Sequence, residues 1–115
     1  MLACNLSAIS ASARPRYNEL IGHLRAGIHE RNELPDGYAF QLNEQCISLL
    51  EIAEWIGMER LCCPFLTFQL ETNGEAPGFT LRLTGPAGVK TILETEFPPV
   101  TPSNYPARTS AGTLS

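Results

Sequence analysis

Leu66-Thr67-Phe68-Gln69-Leu70-Glu71, then Asn73-Gly74 and Pro77-Gly78, then Phe79-Thr80-Leu81-Arg82-Leu83-Thr84, is the stretch that decides the fold. Apolar and polar residues alternate in both flanks, the period of a strand with one face on a core and one in water. The glycine-bearing dipeptides supply the turn, so the flanks read as a hairpin. Strands wetted on one side belong to an antiparallel or mixed sheet covered on its other side by helices.

Toward the N-terminus, Pro64 ends a dense apolar helix expected over Ile47 to Leu61. So much of its circumference is apolar that it reads as the central helix, with Ser48, Glu51 and Glu59 marking a narrow polar side and Trp55 lying among them. Leu34-Pro35-Asp36-Gly37 is a turn by composition, followed by a strand in which Tyr38, Phe40 and Leu42 alternate with Ala39 and Gln41. Tyr17, Leu20, Ile21, Leu24 and Ile28 recur at helical spacing after Pro15, a helix expected to end near Asn32. Leu2, Cys4, Leu6 and Ala8 alternate with polar or small residues, so a first strand is expected there with Cys4 facing the core.

Toward the C-terminus, Gly85-Pro86 opens a short helix with Val89, Ile92, Leu93 and Phe97 as its buried stripe. The Gly85-Pro86-Ala87-Gly88 segment lacks the Lys-Ser/Thr of a phosphate-binding loop. The expected fold is α+β, in the order βαβαββα, with a four-stranded mixed sheet, helices on one face and no internal repeat. Residues 1–97 form one domain, and the Pro/Ser/Thr-rich residues 98–115 lack the periodic apolar positions needed to offset ordering entropy and are expected to be disordered.

A chain of 115 residues with 43% hydrophobic composition suits one core. The net charge of −4 comes from scattered carboxylates, Lys90 is the single lysine, and the arginines are dispersed, which speaks against nucleic acid as a partner. Glu51, Glu54, Glu59, Arg60 and Pro64 interrupt the longest apolar-rich run, which excludes a membrane span there. The first residues lack the basic and apolar segments of a signal peptide, so the expected location is the cytoplasm. In that compartment Cys4, Cys46, Cys62 and Cys63 are expected to be reduced thiols.

Glu59-Arg60-Leu61-Cys62-Cys63-Pro64-Phe65 carries the chemistry. Helical spacing puts Glu59 three and four residues before two adjacent thiols, so a carboxylate and two sulfurs can converge. Hg(II), Cd(II), Cu(I) and Zn(II) favour thiolate ligands, as does arsenite, and Cys4 from the first strand is placed to add a third sulfur. The expected metal or metalloid ligands are therefore Cys62, Cys63, Cys4 and Glu59. Adjacent cysteines close a strained ring if oxidised together and lack Cys-x-x-Cys spacing, which weakens a thioredoxin-like reading.

Two other readings stand beside this one. The cysteines can be small apolar packing at a helix stop, with Glu59 and Arg60 a solvated pair, in a module whose exposed sheet face or Trp55 side contacts a second copy or a protein partner. Alternatively, Cys62 or Cys63 is the nucleophile of an enzyme acting on small electrophiles, which requires a depressed thiol pKa and an adjacent pocket. His23 and His29 are too far apart in sequence to share a helix face as a metal pair and read as surface residues of the first helix.

Ala53-Glu54-Trp55, the Glu59 to Phe68 stretch and Leu81-Arg82-Leu83-Thr84-Gly85-Pro86-Ala87-Gly88-Val89-Lys90 together resemble a group of small, largely uncharacterised bacterial proteins with an E-R-x-C-C-P-F core motif. The likeness runs over most of residues 2–97 and includes Leu34-Pro35-Asp36-Gly37-Tyr38. It implies no particular reaction. Similar proteins lie near heavy-metal resistance systems, an association that favours the soft-ion reading.

Overall fold

The computed structural model describes residues 2–99, so the expected tail lies outside the described residues from residue 100 onward. The helices are α1 (Arg14–Gly27), α2 (Leu49–Cys62) and α3 (Val89–Glu96), and the strands are β1 (Ile28–Leu34), β2 (Gly37–Leu42), β3 (Thr67–Thr72) and β4 (Phe79–Thr84). The sheet runs β1-β2-β4-β3, and every neighbouring pair is antiparallel. The α+β class and a count of four strands are as the sequence predicts, but one strand is not the expected one and the parallel pairs of a mixed sheet are not there.

The difference begins at β1. The helix expected to reach Asn32 stops at Gly27, and Ile28–Leu34 turns back as a strand that pairs with β2 through the Pro35-Asp36 turn. Being an edge strand, β1 tolerates His29, Glu30, Arg31, Asn32 and Glu33 and shows no apolar alternation. Gly37 closes that turn directly against β4, where a Cβ would collide with the Leu83 carbonyl oxygen. A helix followed by a hairpin thus occurs twice, and β2 and β4 meet at the centre.

Tyr38, Phe40 and Leu42 of β2 stand opposite Leu83, Leu81 and Phe79 of β4, with Phe68 and Leu70 of β3 in line beyond them. This face carries the helices. On the other face, Thr80 donates to Gln41 and Arg82 pairs with Glu71 at 2.7 Å, which is the polar alternation of the sequence seen from solvent. Phe40, Phe97, Trp55 and Phe68 form a chain of ring contacts through the core, with Trp55 edge-on to both Phe68 and Phe97.

The first strand expected over Leu2 to Ala8 does not form. Residues 2–5 lie outside any helix or strand, and a 3-10 turn follows at Leu6–Ala8, where the Asn5 side chain accepts from the Ser7 N–H. Leu2 and Cys4 do pack inward, against the core, while Leu6 is exposed. Their alternation has a helix end as its partner, because Asn5 N donates to the Cys62 carbonyl at 2.8 Å.

No helix among the described residues is long and apolar enough to cross a membrane.

Candidate functional site

Ser48 starts α2 with a reciprocal cap: its hydroxyl accepts from Glu51 N at 3.1 Å, and its own N–H donates to the Glu51 carboxylate at 3.0 Å. From there the helix turns its unexpected side inward. Its buried residues are Ile52, Trp55, Glu59 and Cys62, whereas Leu50 and Leu61 are 81% and 57% exposed. The expected polar side is therefore the core side from Trp55 onward, and the expectation of an almost fully covered helix is overturned. Periodicity could not decide the rotation, because a helix apolar nearly all round has no dominant stripe.

Glu59 is 1% exposed, so it is not the solvated helix-end residue of the packing reading. A buried carboxylate must find partners. Oε1 accepts from the Tyr17 hydroxyl of α1 at 2.6 Å and from the Cys62 thiol at 3.4 Å, while Oε2 lies 3.4 Å from Cys63 Sγ. Glu96, in the last turn of α3, is close enough to Glu59 for the two carboxyls to interact. Burial, then the charge of Glu59, pushes the Glu96 carboxyl up to about 7, with Arg25 opposing.

Cys62 and Cys63 are 1% and 0% exposed, and their sulfurs are 3.7 Å apart. Cys63 is joined to Cys4 by a disulfide with a Cα separation of 4.8 Å, which corrects the expectation that all four cysteines are thiols. The physical reason is the docking of residues 2–5 over the end of α2, which brings two cysteines distant in sequence within bonding range. Adjacent cysteines remain unbonded to each other, as the ring-strain argument expects. Cys62 is a free buried thiol, and burial followed by the Glu59 charge and hydrogen bond pushes it up to about 12.

Each expected ligand is therefore accounted for. Cys4, Glu59 and Cys63 each offer one ligand atom within 4.8 Å of one another, and Cys62 completes the group through its 3.7 Å approach to Cys63. Cys46 is exposed and lies outside the cluster. Arg60 is exposed. His23 pairs with Glu51 across α1 and α2 at 2.9 Å, and His29 belongs to β1 rather than to the first helix.

Tyr17 and Glu96 were not singled out by the sequence. Tyr17 sits on a plain core stripe, where only its hydroxyl hints at a buried acceptor; Glu96 sits in a charged last turn and gives no signal at all. The Tyr17 hydroxyl is held strongly protonated by burial and by its bond to Glu59. Trp55, one turn before Glu59, is wholly buried, with an indole N–H that has no hydrogen-bond partner, at a cost of about 1–3 kcal/mol. Two open clefts of about 300 Å³ lie elsewhere, at the end of the sheet near His29, Leu42, Pro77 and Gly78, and no residue of the thiol cluster lines them.

The chain was compared with protein-family models, curated proteins and solved structures, and none of them matches it.

Proposed function

We propose that this chain is a cytoplasmic thiol protein that, once the Cys4–Cys63 bond is reduced, binds a soft metal or metalloid ion through Cys62 and Cys63, with Cys4 as third sulfur and Glu59 beside them. The supporting observation is the 3.7 Å spacing of the Cys62 and Cys63 sulfurs. Two thiolates on one tetrahedral centre, each at about 2.3 Å, stand about 3.8 Å apart. The same spacing is van der Waals contact between two sulfurs, so the pair meets a shared centre without rearrangement of α2.

The candidate ions are those that accept sulfur first: Hg(II), Cd(II), Cu(I), Zn(II) and arsenite. With the bond reduced, the donor set is three thiols and one carboxyl, all on fixed elements except Cys4. Ion binding displaces thiol protons, so affinity rises with pH. Burial and then the Glu59 charge raise the Cys62 thiol, and that charge favours a cation over an anion at this point.

The disulfide itself favours a second reading, in which Cys4–Cys63 staples residues 2–5 onto α2 and the cysteines are structural. The exposed Leu50 and Leu61 would then face a protein partner or a second copy. A nucleophilic role for Cys62 runs against its environment, since a thiol raised to about 12 is almost entirely protonated at neutral pH.

The test is titration of reduced protein with Cd(II), Hg(II) and arsenite, following charge-transfer absorbance and mass stoichiometry, beside Cys62→Ser and Cys63→Ser. The expected result is one ion per chain, held against a small dithiol and lost by at least about 100-fold in either variant while the fold persists. Binding no tighter than to free thiols, or equal binding by the variants, rejects the proposal in favour of the staple.

A further inference from the structure

We infer that Cys4 is the site at which an external thiol enters this protein, opening the Cys4–Cys63 disulfide by exchange with Cys63 as the leaving sulfur. This reaction has to precede ion binding at the same cluster, but it stands whether or not an ion follows.

Exchange requires a thiolate to reach one sulfur of the bond in line with the other. The two sulfurs are not equivalent here. Cys63 is completely buried between the end of α2 and the core, whereas Cys4 is partly exposed on a segment outside any helix or strand. An incoming thiolate therefore meets Cys4 first. Its sulfur forms a new bond to Cys4 Sγ, the Cys4–Cys63 bond breaks, and the bonding pair leaves on Cys63 Sγ.

A bare thiolate at that position would be buried against a carboxylate, which is unfavourable. Glu59 Oε2 lies 3.4 Å from Cys63 Sγ, so the leaving sulfur takes up a proton, supplied by solvent, as it separates from Cys4. The products are a mixed disulfide on Cys4 and a neutral Cys63 thiol. If the entering molecule is a dithiol, its second thiolate attacks its own sulfur in the mixed disulfide. That step releases Cys4 as a thiol, and the reductant departs as its disulfide.

Cys62 does not compete for the new bond, because it is buried and its thiol donates to Glu59. A monothiol should consequently stop at the mixed disulfide. The class of partner implied is a small or protein dithiol in the reducing direction, with a monothiol such as glutathione as the trapping probe.

The experiment exposes the oxidised full chain to excess glutathione at pH 7.5, quenches with acid, alkylates free thiols in denaturant, and locates both labels by proteolysis and mass spectrometry. Glutathione is expected on Cys4 and the alkyl label on Cys63, in at least about tenfold excess over the reverse pattern. Glutathione on Cys63, or equal labelling of both, overturns the assignment. So does failure to exchange under conditions that reduce the denatured chain.

Discussion

α1 and α2 have equal lengths of 14 residues and each precedes a hairpin of the same sheet, yet they fill their buried positions in opposite ways. α1 buries Tyr17, Leu20, Ile21 and Leu24, an ordinary apolar stripe, and it leaves charged residues such as Arg16 and Glu19 in water. α2 exposes Leu50 and Leu61 and buries a glutamate, a thiol and a tryptophan whose N–H is unpartnered. A helix selected for packing alone would be rotated to bury its leucines. The contrast teaches that α2 is held in its orientation by the polar cluster at its end, through Tyr17, Glu96 and the Cys4–Cys63 bond, and that α1 serves as the packed platform against which that cluster is built.

The strongest way to break the contrast is to truncate each helix. Leu20→Ala should cost about 2–5 kcal/mol, because Leu20 is wholly buried in α1. Urea unfolding measures this directly. Leu50→Ala, on the wet side of α2, should change stability by no more than about 0.5 kcal/mol. Comparable losses at the two positions would mean that α2 buries its leucines and that the orientation described above is wrong.

Between these two lies the effect of pH on the carboxyl pair. Glu96 is raised in the folded state from an ordinary carboxyl value to about 7, so the folded chain binds more protons than the unfolded chain between about 4.5 and 7. The stability contribution of the protonated group is complete below about 4.5 and is lost as pH rises through about 7. Partial exposure discounts its size to on the order of 1–2 kcal/mol. Glu96→Gln should flatten the decline in urea midpoint between pH 5 and pH 8. An identical slope would separate Glu96 from the cluster.

Those regions also differ in how much the sequence reveals. The β3–β4 hairpin was legible because Asn73-Gly74 and Pro77-Gly78 sit between strictly alternating flanks, and Gly78 adopts the left-handed conformation such a connection needs, with φ of 89°. Strand β1 was hidden because a polar edge strand has no period, and its loss turned an antiparallel sheet into an expected mixed one. The Glu59, Cys62 and Cys63 grouping was readable from helical spacing alone. Cys4 was placed near them for the wrong reason, through a strand that does not exist. Neither Glu96 nor the inward rotation of Trp55 could be read, because both depend on where α2 and α3 end relative to each other in space.

The central claim is that three sulfurs converge on one point at the end of α2. Its most direct test is arsenic K-edge X-ray absorption of the reduced chain loaded with one equivalent of arsenite. Three sulfur neighbours around arsenic, dropping to two in Cys4→Ser, is the predicted result. Two or fewer sulfurs in the wild-type chain, with oxygen filling the shell and no change on removing Cys4, would contradict the account.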